Sequence, residues 1–315
     1  MIGRSQRRLM RFYSKTTRHL KSIMAQLALR TKYGSCRFWS HRTTLRSSLA
    51  CMAVSTGLRR KVFFIIIKRS TSLLNVNDFA SGCSYRLDSE LVTPYGKWVV
   101  YDPKVLAKPQ ALDYGGRKAG KKKVAWFVSN CQTANKRLEY ARELAEYIEV
   151  DIYGSCGSLK CPKKGKCGGK LLREEYKFYL SFENSNCKDY ITEKLWFALE
   201  NDALPVVMGP LRTDYEFVAP HKSFIHVQDF ASPKDLADYL LRLDANDTEY
   251  NQYFQWKGTG EMIDTKLHCR LCALLHADNM KHKVYHDLQG WWGASQVCSH
   301  SRSPPRLPVG KDDIK

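Results

Sequence analysis

From Lys121 onward, short apolar runs alternate with segments that have helical periodicity. The segment KKKVAWFVSN contains an apolar strand at Val124 to Val128, NKRLEYARELAEYIE has apolar residues at helical spacing, and VDIYG is a second strand. A strand, a helix and a strand in this order form a βαβ unit, in which the strands are parallel and the crossover is right-handed. The pattern therefore predicts a parallel sheet with helices packed on it.

The same scheme is repeated in the segment KFYLSFENSNCKDYITEKLWFALENDALPVVMGP. It predicts a strand at Phe178 to Phe182, a helix from about Thr192 to Glu200 and a strand at Leu204 to Met208. Farther on, SFIHV has the pattern of a strand. In SPKDLADYLLRLDA, Ser232 and Pro233 are the residue types favoured at the N-cap and the first position of a helix. Together these elements predict a Rossmann-like α/β domain.

The positive charge of the sequence is concentrated at its amino-terminal end. The formal net charge is +20, but residues 1–77 contain 17 Lys or Arg and no Asp or Glu, whereas the remaining 238 residues contain 34 basic and 31 acidic ones. The body of the chain is therefore close to neutral. Because it also lacks a motif that reads RNA or DNA, we do not expect nucleic acid as a partner.

The basic segment, residues 1–75, has the Arg, Ser and Thr content and the lack of acids that are typical of a mitochondrial transit peptide. Dense like charges resist compaction, so we favour an unstructured basic leader or a wrongly assembled first exon. Its longest apolar run, VFFIII at Val62 to Ile67, is far shorter than the roughly 20 residues that cross a bilayer. This segment therefore predicts no membrane anchor.

Two further regions lack the pattern of alternating strands and helices. Residues 76–119 are irregular, with TPYG and DP as turn signals, and we interpret them as the end of another domain or a linker. Residues 299–315 are polar and contain prolines, which predicts a disordered tail. The Rossmann-like domain is accordingly assigned to residues 120–298.

The 11 cysteines of the sequence allow disulfides, a structural zinc site or free thiols. A zinc ribbon needs a second tight pair besides CRLC, and the sequence has none, which favours disulfides. Asn246 begins an Asn-Asp-Thr pattern for N-glycosylation, which fits the same oxidising location. The candidate disulfide cysteines are Cys156, Cys161, Cys167, Cys269, Cys272 and Cys298.

Charged residues follow the predicted strands at the positions where α/β folds bind ligands, outside the carboxyl ends of the strands. Arg137 follows the first strand and Lys194 lies in the first turn of a later helix. Two cations at helix N-termini form a suitable cradle for a diphosphate, and a carboxylate such as that of Glu193 accepts hydrogen bonds from sugar hydroxyls. The other polar residues at these positions are Ser129, Asn130, Asn135, Glu183, Asn184 and Tyr190.

Each of these residues also has a purely structural interpretation. An acid such as Glu193 is favoured at any helix N-terminus, Lys194 fits a solvated surface, and Arg137 can pair with acids of its own helix. Asn184 and Tyr190 fit turn and packing positions. GxGxxG and GxxxxGK[ST] do not occur in the sequence, which argues against a dinucleotide oxidoreductase and a P-loop NTPase and leaves a nucleotide sugar as a good fit.

The segment YKFYLSFENSNCKDYITEKLWFALENDALPVVMGP closely resembles the donor-binding motif of the α-1,3-fucosyltransferases. The resemblance covers roughly residues 76–298, including SYRLDSELVTPYGKWVVYDPKV, KKVAWFVSNCQTANKRLEYARELAEYIEVDIYGSCG and WWGASQVC. The chain looks most like the insect-type core enzymes, which modify the Asn-linked GlcNAc of glycoprotein N-glycans. This implies a GT-B-type α/β fold, an inverting transfer of L-fucose from GDP-fucose, no metal or other cofactor, and a lumenal catalytic domain at the Golgi membrane.

The resemblance also implies roles for the candidate site residues. Arg137 and Lys194 contact the diphosphate of GDP-fucose, Glu193 holds hydroxyls of the donor, and Asn184 and Tyr190 line the pocket. The two cations would stabilise the GDP leaving group as the bond to fucose breaks.

An inverting transfer needs a general base for the acceptor hydroxyl. In the family this carboxylate lies in a Glu-Ser-Pro segment upstream of the YRxDS stretch, where this sequence has Lys68-Arg69-Ser70 instead. We therefore expect a complete donor domain, an acceptor domain that is largely missing with residues 76–119 as its remnant and linker, and an unknown base. The alternative function is a noncatalytic pseudoenzyme that binds GDP-fucose or GDP.

Overall fold

The computed structural model describes residues 49–53, 63–67, 83–161, 167–263, 265, 270, 288–293 and 295–299 of the 315-residue chain. The chain divides into two compact units. The first unit comprises Met1–Ser84, Ser89–Leu91 and Lys266–His286, and the second comprises Tyr85–Asp88, Val92–Thr265 and Asp287–Lys315. The predicted tail beyond Ser299 lies outside the described residues.

The first unit contains an antiparallel pair of strands, β1 (Leu49–Ala53) and β2 (Phe63–Ile67). Both strands lie within residues 1–75, for which an unstructured leader was predicted, and the rest of that segment lies outside the described residues. Two short strands follow in the chain, β3 (Cys83–Ser84) and β4 (Leu91–Val92).

A five-stranded parallel sheet forms the centre of the second unit. Its order is β11-β10-β8-β6-β7, so that, counted along the chain, the strands lie in the order 2-1-3-4-5 from β7 to β11. The strands are β6 (Lys122–Phe127), β7 (Val150–Tyr153), β8 (Tyr176–Phe182), β10 (Leu204–Met208) and β11 (Ile225–His226). The chain reverses its winding direction between β6 and β8, and such a switch point opens a crevice at the carboxyl ends of the two strands.

Helices cover both faces of this sheet. On one face, α1 (Arg137–Leu144) and α5 (Pro233–Ala245) pack on residues of β8 that include Phe178 and Leu180. On the other face, α2 (Cys167–Glu174) and α3 (Glu193–Glu200) pack beside Tyr176 and Tyr179. All seven residues of β8 are therefore buried, as expected for a central parallel strand. The helices are α1 (Arg137–Leu144), α2 (Cys167–Glu174), α3 (Glu193–Glu200), α4 (Arg212–Val218), α5 (Pro233–Ala245), α6 (Asp247–Gln252) and α7 (Leu288–Gly293).

These elements confirm the predicted α/β class with a Rossmann-like sheet. β10 has the predicted bounds, and α3 begins at Glu193, with Thr192 as its N-cap. The predicted cap of α5 is formed as well, since the Ser232 hydroxyl accepts a hydrogen bond of 3.2 Å from the Asp235 N–H and Pro233 is the first helical residue. None of the described helices is long and apolar enough to cross a membrane.

Two antiparallel ribbons flank the sheet. One joins β5 (Lys97–Val100) to β12 (Gly260–Ile263), and the other joins β9 (Asn186–Cys187) to β13 (Cys298–Ser299). The second ribbon attaches the carboxyl-terminal part of the unit to the loop that follows β8, and it is closed by a disulfide.

Three disulfides form among the described residues: Cys131–Cys156, Cys161–Cys167 and Cys187–Cys298. They include four of the six candidate cysteines. The other two candidates, Cys269 and Cys272, lie outside the described residues. The partners of Cys156 and Cys298 are Cys131 and Cys187. The sequence analysis did not select these two cysteines, because their partners are distant in the sequence and no local spacing marks them.

Candidate functional site

The candidate residues meet at the switch point between β6 and β8. Asn135 lies in the loop after β6 and is fully buried. Its side-chain N–H group donates hydrogen bonds of 2.9 Å to the Glu183 carbonyl and 3.0 Å to Asn186 Oδ1, both in the loop after β8. A buried amide therefore fixes the two loops against each other at the edge where such sheets bind ligands.

Arg137 is the first residue of α1 and is almost fully buried. Its guanidinium donates to the carbonyl of Phe182 over 2.6 Å and to that of Asn130 over 3.0 Å, and its Cζ lies 5.5 Å from the centroid of the Trp126 ring. Burial lowers the pKa of Arg137, although an arginine stays charged in proteins. Both partners are neutral carbonyls, so the positive charge is oriented but is not cancelled by them.

Lys194 belongs to a closed network with Glu183 and Thr192. Its ammonium donates to Glu183 Oε2 over 2.8 Å and to Thr192 Oγ1 over 2.6 Å. Glu183 Oε1 also accepts from the Thr192 N–H over 2.8 Å, and the Thr192 hydroxyl lies 2.8 and 2.9 Å from the two carboxylate oxygens. The side chain of Lys194 is 20% exposed and that of Glu183 only 1%, so the lysine alone reaches the surface of the site.

The electrostatics of this network keep Lys194 charged. Burial lowers the pKa of Lys194, but the carboxylates of Glu183 and Glu193 together raise it by more, so that its pKa lies above the ordinary value. Glu193 raises the pKa of Lys194 from a longer distance, since its Oε1 lies 3.6 Å from Lys194 Nζ, and its side chain is 70% exposed. Glu193 is therefore the carboxylate of this pair that solvent or a ligand can reach.

Several buried polar atoms around the switch point have no hydrogen-bond partner within the described part of the chain. They belong to the loop after β6, to α1 and to the loop after β8, and they are Thr133 Oγ1, Asn135 Oδ1, Arg137 Nε and Asn184 Oδ1. A buried polar atom without a partner costs about 1–3 kcal/mol, so a cluster of them indicates a place where a polar ligand or ordered water completes the bonding.

The loop after β8 is held from the carboxyl-terminal side. Cys187 pairs with Cys298 in the ribbon of β9 and β13 and through a disulfide. Tyr190 packs against Tyr85 with ring centroids 5.0 Å apart, and Tyr85 in turn lies 5.2 Å from Trp292. Tyr190 thus stands in an aromatic cluster at the end of the loop that begins with Glu183.

The structure places Arg137, Asn184 and Lys194 at one edge of the sheet. Glu193 lies next to Lys194 on the exposed side of α3, whereas Ser129 and Asn130 are exposed in the loop after β6. Sequence reasoning did not assign the ion pair of Lys194 with Glu183. The available signal was a glutamate directly after a strand rich in aromatic residues, where a buried carboxylate needs a cation as its partner.

Among the described residues, no group of three or more His, Cys, Asp or Glu side chains is arranged to hold a metal ion. The polar groups at the switch point are instead two cations, two carboxylates and amides.

Residues 117–291 match the family described as glycosyltransferase family 10 (fucosyltransferase), C-terminal part. The Drosophila melanogaster glycoprotein 3-alpha-L-fucosyltransferase A is 48% identical over 275 residues, which cover 83% of this chain and 54% of that protein. The human 3-galactosyl-N-acetylglucosaminide 4-alpha-L-fucosyltransferase FUT3 is 46% identical over 177 residues, or 56% of this chain and 46% of that protein. The chain thus spans about half the length of these relatives.

A solved α1,3-fucosyltransferase structure with GDP-fucose aligns with a TM-score of 0.49 at 20% identity, covering 70% of this chain and 75% of that one. The family match extends over more than half of the chain, and it includes β6 to β12 and the whole switch point. The predicted family is therefore confirmed, and the chain belongs to glycosyltransferase family 10, the fucosyltransferases.

Proposed function

We propose that this chain binds GDP-fucose at the switch point and transfers L-fucose in α-1,3 linkage, with inversion, to the core GlcNAc of glycoprotein N-glycans. One observation carries the donor part of this proposal. Two cations, Arg137 and Lys194, lie at the N-termini of α1 and α3 beside buried polar atoms that lack partners in the described structure. Family membership supplies the reaction class.

The two cations suit the diphosphate of the donor in different ways. Arg137 is held by two carbonyls, and its buried Nε has no partner among the described residues, so it offers an oriented hydrogen-bond donor. Lys194 uses two of its three N–H groups on Glu183 and Thr192, which leaves one for a phosphate oxygen. Positive charge and helix N-termini stabilise the negative charge that develops on GDP as the fucosyl bond breaks.

Groups that accept hydrogen bonds stand beside these cations. The exposed Glu193 carboxylate suits hydroxyl groups of the donor, and so does Asn184 Oδ1, which has no partner in the part of the chain that the structure describes. Tyr190 supplies an aromatic wall at the end of the same loop. The reaction needs no metal in this proposal, since cationic side chains compensate the charge of the leaving group.

The acceptor and the location are the parts of the proposal that rest on the relatives. The Drosophila relative is named as a glycoprotein 3-fucosyltransferase and the human one as a 4-fucosyltransferase of another acceptor, and the first matches the longer part of this chain. We therefore assign a protein-linked N-glycan as acceptor, and we take the lumenal side of the Golgi membrane as the location from the family resemblance of the sequence. The three disulfides agree with an oxidising compartment.

The second half of the mechanism requires a base that removes the proton of the acceptor hydroxyl on the face opposite GDP. We assign that role to no residue of this chain. A transfer assay is therefore the experiment that tests the proposal, because it distinguishes an enzyme from a noncatalytic GDP-fucose binder.

The assay combines the chain, GDP-fucose and a glycopeptide with a core N-glycan, and mass spectrometry follows the gain of one deoxyhexose. Transfer is expected in the wild type, and Arg137→Ala and Lys194→Ala should reduce it strongly. Lys234→Ala, which removes an exposed lysine of α5, is the matched control and should leave the rate unchanged. Binding of GDP-fucose without transfer of fucose would support the noncatalytic alternative. If the chain neither binds GDP-fucose nor transfers fucose, both the enzyme hypothesis and the noncatalytic alternative are contradicted.

A further inference from the structure

Both carboxylate oxygens of Glu183 are engaged by groups of the described chain. Oε1 accepts from the Thr192 backbone N–H, Oε2 accepts from Lys194, and the single proton of the Thr192 hydroxyl is shared between the two oxygens, all within 2.8 to 2.9 Å. The residue is 1% exposed. A buried carboxylate is tolerated where its charge is paired and its lone pairs are used, and both conditions are met inside the protein.

The same contacts restrain Lys194 before any ligand arrives. Lysine has a flexible four-carbon side chain, and fixing it costs rotamer entropy. Here Glu183 and Thr192 hold the ammonium from two directions. Thr192 gives up its usual capping role for this purpose, since it is the N-cap of α3 but makes no side-chain cap hydrogen bond.

The backbone of the neighbouring strand also lies close to Glu183. Its N–H donates to the Met208 carbonyl over 2.7 Å, and a Cβ atom placed on Gly209 would lie 3.0 Å from Glu183 Cγ. Ser181 Oγ donates to the Lys194 carbonyl over 3.0 Å, so the first turn of α3 is also fixed to β8. Strand, loop and helix therefore define one geometry for the ion pair.

We propose that Glu183 is a positioning residue, which holds the Lys194 ammonium in place for the diphosphate and does not itself contact the donor. This inference rests on the proposed function for the identity of the ligand. It assigns the two glutamates of the site different tasks, because Glu183 organises the cation while Glu193 remains open to the ligand.

The charge of Glu183 acts on the pKa of Lys194, and this effect distinguishes a positioning role from a purely structural one. Burial alone lowers the pKa of Lys194, and Glu183 is the largest opposing influence. Replacement of Glu183 by Gln keeps an acceptor for Thr192 but removes that charge, so Lys194 should lose its proton at lower pH than in the wild type. The charged and titratable groups around the ammonium are Glu183, Glu193, Arg137, Tyr95 and Tyr179.

The test compares wild type, Glu183→Gln and the control Glu200→Gln, which removes an exposed carboxylate at the other end of α3. The first arm follows the Lys194 ¹³Cε resonance against pH without ligand. The second measures GDP binding by calorimetry. We expect Lys194 to titrate at lower pH only in Glu183→Gln, and the affinity for GDP to fall about tenfold in that variant alone, because the cation is no longer held in place.

An unchanged Lys194 titration together with unchanged GDP affinity in a folded Glu183→Gln chain would overturn the positioning role. If the wild type does not bind GDP, the proposed function fails. The pH titration of the Lys194 resonance still shows whether the charge of Glu183 raises the pKa of Lys194. If Glu183→Gln does not fold, Thr192→Val replaces it. That variant removes one of the two anchors of the ammonium, so weaker GDP binding supports the proposal and wild-type binding contradicts it.

Discussion

Arg137 Nη1 lies 2.6 Å from the carbonyl oxygen of Phe182, so the first residue of α1 is bonded to the last residue of β8. The contact spans the switch point of the sheet and uses a charged donor. Together with the bonds of Asn135 to the loop after β8, it fixes both walls of the candidate site before a ligand is present. Such preorganisation reduces the entropy that is lost on binding.

Replacement of Arg137 by Lys tests the importance of the guanidinium fork. Lysine keeps the charge but cannot donate to Phe182 and Asn130 in the same geometry. Hydrogen bonds to charged groups contribute about 1.5–3 kcal/mol, so GDP-fucose affinity should fall by about 10- to 100-fold in calorimetry. Arg142→Lys changes an exposed arginine on the same helix and should bind like the wild type. Equal affinities of Arg137→Lys and wild type would show that charge alone suffices.

Gly209→Ala should disturb the ion pair of Glu183 from the side of β10. The added Cβ would lie 2.7 Å from the Tyr215 hydroxyl and 3.0 Å from Glu183 Cγ, so one of these buried groups must move. Overpacking of this kind costs about 1–3 kcal/mol, and we expect a lower midpoint of thermal unfolding together with weaker GDP-fucose binding. Gly293→Ala is the control, because no described residue beyond its own helix and chain neighbours places an atom within 4 Å of a Cβ at that position. A Gly209→Ala chain with wild-type stability and affinity would contradict the tight packing of Glu183.

The three disulfides should differ in their effect on stability. Cys187–Cys298 joins residues 111 positions apart, whereas Cys161–Cys167 joins residues only 6 apart. A longer closed loop restricts the unfolded chain more, and loss of a native disulfide typically costs about 2–5 kcal/mol. Cys187→Ser with Cys298→Ser should therefore lower the unfolding midpoint in denaturant more than Cys161→Ser with Cys167→Ser.

Cys187→Ser with Cys298→Ser should also weaken GDP-fucose binding, since this disulfide holds the loop that contains Asn184 and Tyr190. Cys161→Ser with Cys167→Ser is the control, because it removes a disulfide at another place. The reverse order of stabilities would argue against the ribbon of β9 and β13 as the support of that loop.

Asp214 should make the fold less stable as the pH rises. Burial, followed by the nearby Asp189, raises the pKa of Asp214 from 3.8 to about 6. The folded state therefore holds its proton more tightly than the unfolded state, and stability decreases between about pH 4 and pH 6. Asp214→Asn removes this loss and keeps an acceptor for the Asp189 N–H, which lies 3.2 Å from Asp214 Oδ2.

The variant should accordingly unfold at a higher temperature than the wild type at pH 7, with a smaller difference at pH 4. Glu146→Gln, at an exposed position after α1, is the matched control. A difference between Asp214→Asn and wild type that is constant from pH 4 to pH 7 would be inconsistent with a raised pKa.

Local patterns in the sequence were sufficient for the elements of the sheet. The strand Leu204–Met208 and the cap at Ser232 depend on neighbouring residues, and both were predicted at the positions that the structure has. Residues after these strands were predicted to converge, because parallel strands place their carboxyl ends at one edge. The order of the strands was not accessible, since it depends on which neighbours pair across the sheet.

The features of the site that the sequence did not predict are contacts between residues that are distant along the chain. Glu183 and Lys194 are 11 residues apart, and their ion pair depends on the turn that brings the start of α3 back over the end of β8. Cys187 and Cys298 meet only because β9 and β13 pair. A sequence pattern shows that a charge follows a strand rich in aromatic residues, but the partner of that charge is decided by the fold.

The most direct test of the central claim is a calorimetric titration of GDP-fucose into the wild-type chain and into Lys194→Ala, with Lys234→Ala as the control. We predict saturable binding of one donor molecule to the wild type and to the control, and a loss of at least tenfold in affinity for Lys194→Ala, because a partly exposed cation of the diphosphate cradle is removed. No measurable binding to the wild type, or equal affinities in all three chains, would contradict a donor site at this switch point.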